Sequence, residues 1–167
     1  MYYFAYGSNM SWRRLRQRVA SARRVCHARL PGYSLEFHKA GRDGSAKCDA
    51  YYTGKARDII HGVLFDLDPA DKAQLDRIEG VGAGYEEQEI KLALPNGRAV
   101  QAFTYVATHL DQQMQPYCWY KTHVVAGALE AGLPAGYTRR LRAVKTLRDP
   151  NPRRRARESA VHRRRSI

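Results

Sequence analysis

A chain of 167 residues with 44% hydrophobic content can bury one core of useful size and shows no second block of comparable length. No apolar run approaches the ~20 residues needed to cross a bilayer, and the opening residues lack a basic stretch followed by a long apolar one, so a soluble, cytoplasmic, single-domain protein without membrane association is expected. The net charge of +13 is uneven: residues 13–29 hold seven arginines and no acid, residues 148–167 hold eight arginines against Asp149 and Glu158, and the remainder balances at fourteen basic and fourteen acidic. The basic character belongs to one helix region and one tail, so it says little about what the core does.

In chain order, residues 2–6 form a hydrophobic strand that runs straight into Gly7-Ser8-Asn9 and a helix opening at Ser11. Gly7 lets backbone N–H groups approach a ligand closely and the helix start offers unpaired N–H groups, so this junction suits a small anion. The helix is expected over residues 11 to about 22, capped by Ser11 or Asn9, with Leu15 and Val19 on one face and arginine on the other. Strands follow near residues 25–30 and 34–38, separated by the Pro31-Gly32 turn, and near 50–54, with a polar loop over 41–45. Branched and aromatic residues predict a strand over 59–67. Asp68-Pro69-Ala70-Asp71 then starts a helix that runs to Glu79, buries Leu75 and Ile78, and ends on a left-handed Gly80. Residues 85–94, the Pro95-Asn96-Gly97 turn and residues 98–107 make the clearest hairpin. A helix over about 116–131 stops at Gly132-Leu133-Pro134, and a shorter one follows over 135–144. From residue 148 on, arginine with almost no apolar residue predicts a flexible tail, because little there can offset the entropy of ordering. The pattern as a whole predicts an α+β domain over residues 1–147 and a basic tail over 148–167.

Several catalytic templates are missing, among them H-E-x-x-H, the phosphate loop and G-x-S-x-G, and the glycines at 80, 82 and 84 follow a helix where a dinucleotide fingerprint would follow a strand. A reaction that uses neither metal nor cofactor is the expectation. Cys26, Cys48 and Cys118 lie far apart with no C-x-x-C, which suits a reducing compartment and buried structural thiols. Glu79 ends a helix, where the carbonyl ends disfavour a charged carboxylate, a setting that with burial makes a general base for neutral pH. Each feature taken singly has a plainer reading: Glu79 as a surface carboxylate, Tyr6-Gly7-Ser8-Asn9 as a tight strand-to-helix turn, Tyr105 and Tyr120 as core aromatics.

In combination these segments resemble one family. Phe4-Ala5-Tyr6-Gly7-Ser8-Asn9-Met10, then Ile78-Glu79-Gly80-Val81 with Tyr85 just beyond, then Phe103-Thr104-Tyr105, and finally Trp119-Tyr120-Lys121 with Gly132-Leu133-Pro134 occur in the order and approximate spacing of the γ-glutamylcyclotransferases. The resemblance spans residues 2 to about 147 and implies a small mixed β-barrel with helices packed around it. It further implies that the backbone N–H groups of Gly7, Ser8 and Asn9, with Tyr6 beside them, hold a γ-glutamyl group, that Glu79 is the catalytic acid and base, and that Tyr85, Tyr105 and Tyr120 line the pocket. The implied reaction is attack of the substrate's α-amine on its own γ-carbonyl, releasing 5-oxoproline and an amine. AYGSN followed by EGV resembles the enzymes acting on γ-glutamyl amino acids more than those acting on γ-glutamylamines or on glutathione. The family includes dimers, so a homodimer accords with the resemblance. Two other readings stand beside it: a nucleic-acid binding module using the arginine helix and tail, for which the neutral remainder offers no recognition motif, and a γ-glutamyl-binding protein without turnover.

Overall fold

The computed structural model describes residues 1–162. Strand β1 (Tyr2–Ala5) pairs antiparallel with β5 (Ile59–Asp66), β5 with β2 (Arg23–Pro31), β2 with β6 (Tyr85–Ala93), and β6 with β7 (Ala99–Ala107). A parallel bridge between Tyr3 and Phe103 closes β7 back onto β1, giving a five-stranded barrel. Closure is narrow, since β1 and β7 share one residue pair and β2 and β6 another. On these strands Phe4, Ile60, Val63, Leu64, Phe65 and Leu92 are all but inaccessible, on both faces of the sheet. The expected mixed barrel with flanking helices is therefore the fold observed.

The strands expected on either side of Pro31-Gly32 are both present and take different partners: β2 lies in the barrel, whereas β3 (Tyr33–Ala40) pairs with β4 (Ala46–Tyr52) in a separate two-stranded sheet. Local apolar pattern marks where strands are but not which partner they take. Strand β4 begins four residues earlier than expected, which brings Cys48 and Asp49 into the packed interior.

Helix α1 (Trp12–Arg18) is shorter than expected, capped by Ser11, whose side chain accepts the Arg14 N–H, and ended at an extended Val19. A single 3₁₀ turn capped by Asp68 leads into α2 (Lys72–Glu79), and Gly80 ends it at φ 75°, a left-handed conformation that glycine takes at no steric cost. Leu75 is buried, but Ile78 is 40% exposed because the last turn of α2 overhangs the mouth of the cavity described below. Helix α3 (Cys118–Glu130) packs against the turn that follows β1 and α4 (Ala135–Ala143) packs against α3, and no described helix is long and apolar enough to cross a membrane.

The segment expected to be a flexible tail is instead held against this framework through residue 162. Helix α5 (Pro152–Ala160), capped by the Asn151 side chain, follows a fully buried Asp149. The Asp149 carboxylate accepts from Trp119 Nε1 at 2.8 Å and from Arg154 at 2.6 and 2.7 Å. On α5 itself, Glu158 accepts from Arg14 at 2.6 Å and lies 3.1 Å from His123 Nε2. Charge pairing and hydrogen bonds anchor this helix with little apolar area, so a composition poor in apolar residues gives no sign of it. Residues 163–167 of the expected tail lie outside the described residues.

This cluster makes stability depend on pH. Burial pushes the fully enclosed His123 down to about 4 from the ordinary 6.5. The Glu158 carboxyl, although burial acts to raise it, is held below the usual carboxylate range by His123 and Arg14 and stays charged throughout that interval. Between pH 6.5 and 4 the unfolded chain thus binds a proton at His123 that the folded chain does not, so stability falls as pH drops through this window. Thermal melts should show a lower midpoint at pH 4.5 than at pH 7 by several degrees. An equal or higher midpoint in acid would remove the assignment of a neutral buried His123.

Candidate active site

Gly7, Ser8 and Asn9 leave the end of β1 in a tight turn whose 3₁₀ part, Ser8–Met10, is closed by the Met10 N–H on the Gly7 carbonyl at 3.0 Å. Among the described residues, the N–H groups of Gly7, Ser8 and Asn9 find no protein acceptor. Gly7 has a negative φ, so its need for glycine is one of space: a Cβ there would sit 3.0 Å from the Cys48 Cβ and 3.3 Å from the Tyr120 hydroxyl. The turn, β4 and α3 meet closely enough here that a methyl group would have to push these neighbours back by a few tenths of an ångström.

Across the turn stands Glu79, the last residue of α2. Its Oε1 accepts from Asn9 Nδ2 at 2.9 Å and from Arg18 at 2.8 Å, while Oε2 accepts from no protein group among the described residues. Asn9 acts as a clamp, because its Oδ1 also accepts from Arg18 at 3.0 Å and its amide nitrogen reaches the Tyr3 hydroxyl at 3.0 Å. One carboxylate oxygen is thus fixed and the other is open. The carbonyl ends of α2 and the Arg18 guanidinium act on the Glu79 charge in opposite senses.

Tyr3, Tyr6, Gly7, Ser8, Asn9, Cys48, Glu79, Tyr85, Tyr105 and Tyr120 enclose a cavity of 30 Å³. The residues singled out in the sequence, Tyr6 to Asn9, Glu79, Tyr85, Tyr105 and Tyr120, all converge on it. By the measure in which one water needs ~10–15 Å³, this inner space takes a group the size of a carboxylate or carbonyl and not a whole glutamyl chain. It opens, past Ser8, Glu79, Tyr85 and Tyr120, into a vestibule of 270 Å³. A larger hollow of 1050 Å³ beside Trp12, Arg16 and Leu129 shares no residue with either space.

The tyrosines are not equivalent. Burial drives the hydroxyls of Tyr3, Tyr6, Tyr85, Tyr105 and Tyr120 far above the ordinary tyrosine range, so all stay protonated near neutral pH. Three of those protons are already committed: Tyr6 donates to the Tyr105 carbonyl, Tyr85 to the Cys48 carbonyl at 2.7 Å, and Tyr105 to Asp76 at 2.6 Å. Tyr120 accepts the Cys48 N–H at 2.9 Å and Tyr3 accepts from Asn9, which leaves their own protons for a guest. Cys48 lines the cavity, but burial pushes its thiol up to about 12, so it is a poor nucleophile near pH 7. Cys26 and Cys118 are only partly buried, short of the full burial expected. No group of three His, Cys, Asp or Glu side chains gathers in a metal-holding cluster among the described residues.

Comparison with known proteins places this geometry. A model of the AIG2-like family matches residues 59–141. The chain is 32% identical over 149 residues to the γ-glutamylcyclotransferase of Homo sapiens, covering 85% of this chain and 77% of the human one, and 32% identical to that of Mus musculus over the same shares. The chain belongs to the γ-glutamylcyclotransferase family. A solved γ-glutamyl cyclotransferase superposes with a TM-score of 0.84 at 26% identity, over 95% of this chain and 97% of that one.

Within this family member, sequence reasoning missed Tyr3, Arg18, Cys48 and Asp76. Arg18 gave no local signal: it lies four residues after Arg14 in an acid-free helix region whose arginine face reads as solvated charge, and the carboxylates that pair both guanidinia come from elsewhere in the fold. Glu158 and Glu79 are those carboxylates. Tyr3 and Cys48 reach the cavity through strand pairing and packing, which no local pattern encodes.

Proposed function

We propose that this chain catalyses intramolecular cyclisation of a γ-glutamyl amide to 5-oxoproline, with Glu79 as the single acid and base. The observation that carries this reading is a carboxylate with one oxygen clamped by Asn9 and Arg18 and the other, among the described residues, unengaged, set beside three backbone N–H groups that find no acceptor among those residues. The substrate brings its own nucleophile, so no enzyme nucleophile is needed, in keeping with the protonated Cys48 and tyrosines.

Near neutral pH the substrate's α-amine is mainly ammonium. Glu79 takes a proton from it, the freed amine attacks the γ-carbonyl carbon, and the C–N bond to the leaving group breaks as the five-membered ring forms. Over the reaction the α-nitrogen loses two protons and the departing nitrogen gains two. One carboxylate can therefore take a proton and return it with no net change in its own state. The N–H groups of Gly7, Ser8 and Asn9 and the uncommitted Tyr120 hydroxyl are the donors available to a substrate carboxylate or to the oxyanion. Holding both ends of the glutamyl chain makes the ring-closing geometry frequent, which supplies the remaining acceleration. Three free cysteines suit work in a reducing compartment such as the cytoplasm.

The test is incubation of the full chain with a panel of γ-glutamyl dipeptides, read by mass spectrometry. Release of 5-oxoproline and free amino acid in equal amounts is expected, while the α-linked isomers, whose amine cannot reach a γ-amide, stay intact. A panel with no turnover would overturn the proposal.

A further inference from the structure

The charge of the vestibule bears on the leaving group, an argument that rests on the cyclotransferase reading. Six cationic side chains line this space, Arg14, Arg18, Lys39, Arg42, Lys47 and Arg77, against two carboxylates, Asp43 and Glu79. Three of the six are matched within the fold: Arg14 by Glu158, Arg18 by Glu79, and Lys47 by Asp43. Lys39, Arg42 and Arg77 have no carboxylate partner among the described residues.

Lys39 is the informative member. It is 93% buried, with 7% of its surface exposed, and its ammonium lies 4.9 Å from the centre of the Tyr85 ring. It makes no hydrogen bond to a protein group among the described residues. Burial lowers its pKa while Glu79 acts to keep it charged. The stem of Lys39 is buried while its ammonium keeps contact with solvent at the vestibule wall, where an anion of the guest can replace water as its acceptor. Arg42, exposed in the loop between β3 and β4, and Arg77, exposed in the last turn of α2, add unmatched positive charge at the same opening.

With the glutamyl end seated at the inner cavity, the leaving group extends into this space. An ordinary amino acid carries one carboxylate, enough for one of the three unmatched cations. We infer that the preferred substrates are γ-glutamyl amides of acidic amines, whose leaving group carries a second negative charge, with γ-glutamyl-glutamate and γ-glutamyl-aspartate the simplest cases. Amines bearing extra positive charge meet like charge at the mouth and are disfavoured.

Steady-state kinetics of the full chain on γ-glutamyl-glutamate, its neutral isostere γ-glutamyl-glutamine, and γ-glutamyl-lysine test this. The expected order of kcat/KM is glutamate over glutamine over lysine, about tenfold per step, expressed mainly in KM and shrinking at high salt. Lys39→Met and Arg42→Gln should each reduce the glutamate-to-glutamine ratio. Because that ratio is taken within one preparation, a general loss of active protein cancels, and Arg42 sits on an exposed loop where substitution leaves the core intact. Equal kcat/KM on all three, a preference for the lysine substrate, or a ratio unmoved by both substitutions overturns the inference while leaving the cyclotransferase reading in place. No 5-oxoproline from any of the three overturns that reading, and the inference with it.

Discussion

Glu79→Gln is expected to lower the turnover of γ-glutamyl dipeptides by about 10²–10⁴-fold, about 3–5 kcal/mol of barrier, while the chain melts near the wild-type temperature. The amide is nearly isosteric with the carboxyl, and its oxygen can still accept from Asn9 and Arg18, so the clamp survives. What disappears is the capacity to take a proton at the oxygen that Asn9 and Arg18 leave open. The ion pair lost with it is partly exposed, with 24% of the Arg18 and 17% of the Glu79 side chain accessible, and such pairs contribute about 0–1 kcal/mol. Rate and stability therefore separate in this variant. A glutamine enzyme that retains wild-type kcat would place the proton transfer elsewhere.

Removing residues 148–167 has the opposite signature, a loss of stability that reaches activity only through the fold. The deletion takes away Asp149 and Glu158, leaving Trp119 Nε1 without its acceptor and the Arg14 guanidinium, 8% exposed, without its carboxylate. Breaking a buried pair by removing one partner costs about 3–5 kcal/mol, which for a domain of this length lowers the melting midpoint by roughly 10 °C. Arg14 and Arg18 are one turn apart on α1, so loosening Arg14 also weakens the hold on Glu79. Calorimetry on the full and shortened chains decides the matter, and coincident midpoints would mean that α5 adds nothing to the domain.

These two cases mark what the sequence could and could not reveal. The β6–β7 hairpin, the capped start and glycine end of α2, and the positions of α3 and α4 are local: apolar period, turn residues and caps lie within a few residues of one another. Barrel closure is not local. Strand β1 meets β5 some sixty residues away, and a single bridge joins it to β7, so the barrel was reached through family resemblance and not from pattern. The arginines misled for a related reason. Arg14, Arg18 and Arg154 read as solvated charge, yet each pairs with a carboxylate distant in sequence or just upstream of its own helix. A helix held by ion pairs leaves no apolar stripe to read. The chemistry-bearing motifs were legible because a strand-to-helix turn with glycine and an acid at a helix end are short. The partners that make them a site, Tyr3, Arg18 and Cys48, were not.

The inward hydrogen bonds of Tyr6, Tyr85 and Tyr105 have a thermodynamic corollary. Rings tethered at the hydroxyl and packed at the face have lost their rotational freedom before any guest arrives, so association need not freeze them again. Free and occupied crystals should then superpose closely around these aromatics, with adjustment confined to the rim at Arg42 and Arg77.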